Sequence, residues 1–191
     1  MKDRAHIFFA LMCALSGLGW LIGWTLNINR DSLLGAEIAF TGYALAPFAL
    51  LGIFECQRHR SGPFLVLGFF VCLLANTLFI GWTFLDIARL SGVAPGVDWL
   101  QVQSQGPTRV VGVCGGLAWM IGLVCLGWGS LRAAVFSKVP CLMLGISGLL
   151  PLLPIAINKR LVRVAALAFL LLAIEIWRLP KKARTESAQA I

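Results

Sequence analysis

The sequence predicts an all-α, polytopic membrane helix bundle with six transmembrane helices, and three observations carry that reading. Hydrophobic residues make up 59% of the 191 residues and charged residues 13%, about half the charge of an ordinary soluble domain. The mean hydropathy is +0.88, and the apolar residues gather in long runs suited to crossing a bilayer. Lys and Arg number 16 against 8 Asp and Glu, and the excess collects in alternate connections, as it does in cytoplasmic loops. This composition excludes a soluble globular enzyme, a disordered chain and a nucleic-acid module. The net charge of +8 is assigned to lipid headgroups, so the lipid bilayer is the expected partner and nucleic acid is not.

The runs are Ala5–Leu26, Leu33–Phe54, Pro63–Leu85, Val110–Leu131, Val139–Ile157 and Leu161–Trp177. Each of the first four is about 33 Å long at 1.5 Å per residue, against a hydrocarbon core of about 30 Å. The first run follows the basic start Met1-Lys2-Asp3-Arg4. It is too long for the apolar core of a signal peptide and is followed by no small-x-small cleavage site, so it is read as a permanent span. The fifth run is shorter and holds Pro140, Pro151 and Pro154, and the sixth carries Arg163 and Glu175 near its ends. Residues 179–191 form a basic, then polar tail, expected at the cytoplasmic surface. The whole chain is one membrane domain.

Six spans with an inner N-terminus put Lys2, Arg4, Arg58, Arg60, Arg132, Lys138, Arg178, Lys181, Lys182 and Arg184 inside. Arg30, Arg89, Arg109, Lys159, Arg160 and Arg163 fall outside, a ten-to-six division that favours both termini in the cytoplasm. A fifth run that only dipped into the membrane would reduce the division to nine against seven. The expected location is a bacterial inner (plasma) membrane. Of the cysteines, Cys13, Cys72, Cys114, Cys125 and Cys141 lie within spans and Cys56 at an inner loop. No exposed disulfide framework and no CxxC pair is therefore expected.

The stretch Gly17-Leu18-Gly19-Trp20-Leu21-Ile22-Gly23 recurs as Gly116-Leu117-Ala118-Trp119-Met120-Ile121-Gly122. The same offset lays Arg58-His59-Arg60 beside Lys159-Arg160. Two three-helix repeats of opposite orientation, the plan of many transporters, would explain both. Chance similarity between Gly-, Leu- and Trp-rich helices explains them too. The pairs Gly19-xxx-Gly23 and Gly112-xxx-Gly116 are small-xxx-small patterns that allow close helix approach, so all four glycines are read as helix-packing positions.

Ionisable or amide groups at membrane depth are costly and mark sites or interhelical clamps. Glu37 lies about one turn inside the outer end of the second run, with Thr41 and Tyr43 after it. Asn76 lies near the middle of the third, Asp86 ends that run, and Arg109 precedes the fourth. Glu37, Asn76, Asp86 and Arg109 are the candidate outer-side ligand-binding set. The alternative makes Glu37 an interfacial carboxylate paired with Arg30 or Arg109, and Asn76 a clamp. Glu175 is read as a partner of Arg178 or of the lysines beyond. Asp98 is placed to cap a short helix in the longest loop, with Trp99, Leu100 and Val102 on the bilayer surface or closing the bundle.

His6 and His59 sit at the inner edge among basic residues, not facing each other at depth as a bis-His haem needs. No cofactor, metal or catalytic residue is expected, and HExxH, Walker A and GxSxG are absent from the sequence. The sequence ranks a non-catalytic accessory or structural subunit, associated with other membrane subunits, above a small transporter or ligand-binding bundle. A lipid-modifying enzyme comes third.

Overall fold

A computed structural model describes residues 2–27, 32–93, 96–149 and 163–179, and all regular structure among them is helical. Helices α1 (Lys2–Asn27) and α2 (Leu33–Gln57) are followed by a single 3-10 turn, Arg58–Arg60, and by α3 (Pro63–Leu90). The short α4 (Trp99–Ser104) precedes α5 (Gly106–Ala133) and α6 (Lys138–Leu149). A last helix, α7, covers residues 163–179. Of these, α1, α2, α3 and α5 are long and apolar enough to cross a membrane. The part of the fifth run beyond Leu149, with Pro151, Pro154 and the Lys159-Arg160 pair, lies outside the described residues. So do Arg30, the partner considered for Glu37, and the tail from residue 180 onward.

The helices begin where local chemistry permits. Ser32 is the N-cap of α2, its Oγ accepting from the Gly35 N–H at 3.2 Å, which satisfies one of the unpaired amides of the first turn. Pro63 stands in the first turn of α3 and Pro107 in that of α5, where the missing N–H costs nothing. Asp98 caps α4 by accepting from the Gln101 N–H at 3.0 Å. Helix α5 ends at Ala134, in the left-handed region at φ 51°, and its N–H returns to the Ser130 carbonyl. The observed helices overrun the apolar runs at their ends. Helix α3 continues to Leu90 and α5 begins at Gly106, because backbone bonding continues past the point where side chains turn polar.

The bundle is an antiparallel array held by glycine contacts. Gly19 and Gly23 of α1 lie on Gly42 and Ala39 of α2, and Gly17 on the Ala166 carbonyl of α7. Helices α3 and α5 meet through Gly68 on Leu126, Gly122 on Cys72 and Gly129 on Leu65. Gly122 and Gly129 are seven residues apart and so share one face of α5. Helix α6 rests on α5 where Gly127 faces Gly145. At these points the glycine backbone meets the neighbouring backbone, or the inner atoms of its side chains, directly. Such close approach supplies the dispersion contact that drives helix association when lipid is as apolar as leucine.

The contacts also sort the ends of the bundle. Phe9 of α1 lies on Gly52, Gln57 reaches Ser130 and Ser137 reaches Glu175. The start of α1, the α2–α3 turn, the α5–α6 turn and the end of α7 therefore share one end. That end carries Arg4, Arg58, Arg60, Arg132, Lys138 and Arg178 together with Glu55 and Glu175. The opposite end carries Arg89, Arg109 and Arg163 together with Glu37, Asp86 and Asp98. The asymmetry read from the sequence is thus an asymmetry of the folded bundle.

Candidate functional site

The interior of the bundle is aromatic. Trp20 of α1 packs against Tyr43 of α2, Trp119 of α5 and Phe169 of α7, with ring centroids 5.2, 5.4 and 4.9 Å apart. Phe79 of α3 stacks on Tyr43 at 5.7 Å and meets Trp119 edge-on at 5.8 Å. Five helices each contribute one ring, in the offset and edge-to-face geometries that aromatic quadrupoles favour. Trp20 and Phe169 are 1% and 0% exposed. The two tryptophans of the recurring heptapeptide thus touch each other at the centre.

The rest of that heptapeptide does not keep equivalent surroundings. Helix α1 contacts α2 and α7, and α5 contacts α6 and α3. Yet Gly23 rests on α2, next in sequence, while Gly122 rests on Cys72 of α3. Gly17 is pressed on α7, while a Cβ at Gly116 would meet nothing within 4 Å among the described residues. Of the four glycines the sequence nominates, Gly19 and Gly23 lie against backbone of α2, and Gly112 lies under the Trp82 ring. Gly116 has no neighbour among the described residues, because the face of α5 that meets α3 is set by Gly115, Gly122 and Gly129.

The polar interior has a structural logic centred on Pro47. This proline lies inside α2 and has no N–H to give the carbonyl four residues earlier. That carbonyl belongs to Tyr43, and Asn76 Nδ2 of α3 donates to it at 2.9 Å. Ser16 Oγ of α1 donates to the neighbouring Gly42 carbonyl, also at 2.9 Å. Asn76 is fully buried, and its Oδ1 has no hydrogen-bond partner among the described residues. Near the basic end Gln57 Nε2 donates to the Ile53 carbonyl at 3.0 Å and to Ser130 Oγ at 3.1 Å. Ser16, Gln57 and Ser130 were not singled out by sequence reasoning. A polar residue about one turn past the end of an apolar run, where the helix still continues, as Gln57 is, was the available signal.

The four outer-side candidates are not brought together. Glu37 is exposed, and its carboxylate makes no hydrogen bond or ion pair among the described residues. The Thr41 hydroxyl donates to the Glu37 backbone carbonyl at 3.0 Å, and Tyr43 turns into the aromatic interior. Asn76 is engaged with α2. Asp86 pairs with Arg89 one turn along α3, at 3.8 Å, and Arg109 is exposed at the start of α5. The reason is helical phase, since depth along a helix says nothing about which side of it a residue occupies.

Glu175 also has a different partner from the one expected. Its carboxylate accepts the Ser137 N–H at 2.8 Å and the Ser137 hydroxyl, at the residue preceding α6. A carboxylate there satisfies an amide ahead of the first turn and favours the positive end of the helix dipole. Glu175 thereby ties α7 to α6. His6 Nδ1 lies 3.7 Å from Cys56 Sγ, which joins the start of α1 to the end of α2. In the longest loop, Thr108 bonds the Val102 and Gln105 carbonyls and folds α4 against the start of α5. Comparison with family models, curated proteins and solved structures gave no match.

Proposed function

We propose that this protein is a non-catalytic accessory or structural subunit of a membrane complex. The observation that supports it is the filled aromatic centre. A transported solute needs a polar path through the bundle, but Trp20, Tyr43, Phe79, Trp119 and Phe169 pack ring on ring where that path would run. The buried amide and hydroxyl groups Asn76, Ser16 and Gln57 join helices to one another. Glu37, the carboxylate on which a transporter reading rested, faces outward. A rigid bundle with apolar outer faces is suited to holding neighbours in place.

The test is site-specific photo-crosslinking in native membranes from Val113, which is 55% exposed on the outward face of α5. A discrete adduct with one other membrane protein is expected. Adducts with lipid alone would overturn the reading.

We further propose six crossings, α6 and α7 completing the fifth and sixth, with the basic end in the cytoplasm of a bacterial inner membrane. Support comes from the basic residues shared by the first and last helices at one end of the bundle, as cytoplasmic surfaces are. A reporter fused after Arg184 should give a cytoplasmic signal, and a periplasmic signal would require a re-entrant fifth segment. The inverted repeat is retained only at the level of helix contacts.

A further inference from the structure

Helices α1 and α7 leave an apolar groove of about 630 Å³ between them at the basic end. Small residues make its floor. Ala10 and Ala173 are nearly buried, while Ile7, Leu11, Ile174 and Trp177 rise beside them, each close to half exposed. On α7 the lining runs from Leu170 to Arg178, about 12 Å at 1.5 Å per residue. That is close to the roughly 15 Å depth of one leaflet's hydrocarbon. The groove therefore spans most of the length over which an acyl chain lies beside a helix in one leaflet.

Its rim is charged at one end only. Arg178 lines the groove where α7 ends, and its guanidinium makes no hydrogen bond or ion pair among the described residues. Glu175, one turn away, is held by Ser137 instead. Arg4 belongs to the same α1 stripe as Ile7, Leu11 and Ala14, at helical spacings of three and four, and is exposed. Trp177 supplies the amphipathic ring that settles at headgroup depth. By contrast, a second apolar groove, between α5 and α6, is about 240 Å³ and is lined by no charged side chain among the described residues.

We propose that the α1–α7 groove binds one anionic phospholipid of the leaflet at the basic end. One acyl chain lies over Ala10, Ala14 and Ala173, and the phosphate sits on Arg178 with Arg4 on the opposite rim. A guanidinium with no partner among the described residues, at the end of an apolar channel, matches a phosphate at the end of an acyl chain, in charge and in spacing. The assignment holds whichever assembly the bundle serves, because it uses only the basic end and the groove.

The experiment is native mass spectrometry of the full chain released from mild detergent, titrated with phosphatidylglycerol and, separately, with phosphatidylcholine. One phosphatidylglycerol should be retained in preference to phosphatidylcholine. Arg178→Gln should weaken that binding about fivefold, while Arg60→Gln, on the α2–α3 turn, should leave it unchanged. Ala14→Leu fills the groove and should remove the retained lipid. Ile7→Trp, on the exposed wall, serves the same purpose without touching the helix contact. Equal binding by Arg178→Gln and the wild-type chain would overturn the proposal. An equal loss in Arg60→Gln would do so too, since it would show only general attraction to the basic end. A homodimer crosslinked through Leu11 and Ile174, with no bound lipid, would assign the groove to a second copy instead.

Discussion

Replacing Gly68 with valine should abolish most of the folded yield, while the same change at Gly116 should leave it unaltered. A Cβ at Gly68 would overlap the backbone nitrogen and Cα of Leu126 and the carbonyl carbon of Cys125. These are backbone atoms, so no rotamer change relieves the overlap. Helix α3 would have to move away from α5 along the contact that also includes Gly122 and Gly129. Overpacking of a well-packed interior costs about 1–3 kcal/mol when side chains can adjust, and a displaced backbone interface costs more. Gly116 has no atom of the described residues within 4 Å of its Cβ position, and valine there would extend away from the α3–α5 contact. Thermal unfolding in detergent, followed by size-exclusion recovery, checks the pair. Similar losses at both positions would show that the α3–α5 contact is not what Gly68 provides.

Asn76→Leu should destabilise the protein by about 1–3 kcal/mol, and Pro47→Ala should restore most of that loss when the two are combined. Leucine has as many side-chain heavy atoms as asparagine and is somewhat bulkier, so the change leaves no cavity. It removes the donor to the Tyr43 carbonyl, which Pro47 has already deprived of its intrahelical partner. A backbone carbonyl without a partner in an apolar interior is costly. Alanine at position 47 returns an N–H at the right place in the helix, so Tyr43 no longer needs Asn76. The expected signature is non-additivity in a double-mutant cycle, read from unfolding midpoints of the four variants. Additive losses would mean that the Pro47 gap and the Asn76 bond are energetically separate.

These two predictions draw on different amounts of sequence information. Pro47 could have been read as freeing the Tyr43 carbonyl, because that consequence is local to one helix. Which donor fills the gap could not, because Asn76 lies 33 residues away on another helix whose rotation is set by Gly68 and Gly122. The same distinction separates Asp98 from Glu175. Asp98 reaches an amide three residues on, within its own turn, and its capping role was legible. Glu175 reaches Ser137 across 38 residues, and its sequence neighbours suggested Arg178 instead.

By itself, the sequence determined the four long apolar helices, the crowding of basic residues toward one end, the cap of α4 and a small-residue mode of packing for α1. Each depends on composition along a single run. An apolar segment satisfies its backbone internally, and charges sort by distance from the hydrocarbon. The tertiary structure decided helix phase and register. It set Gly122 rather than Gly116 against a neighbour, sent Glu37 outward, joined Asn76 to the Pro47 gap and brought Trp20 onto Trp119. Hydropathy says little about rotation around a helix axis when the surrounding lipid is as apolar as the helix faces themselves. Close backbone approach, ring packing and the few polar bonds settle that rotation, and they exist only once the helices are assembled.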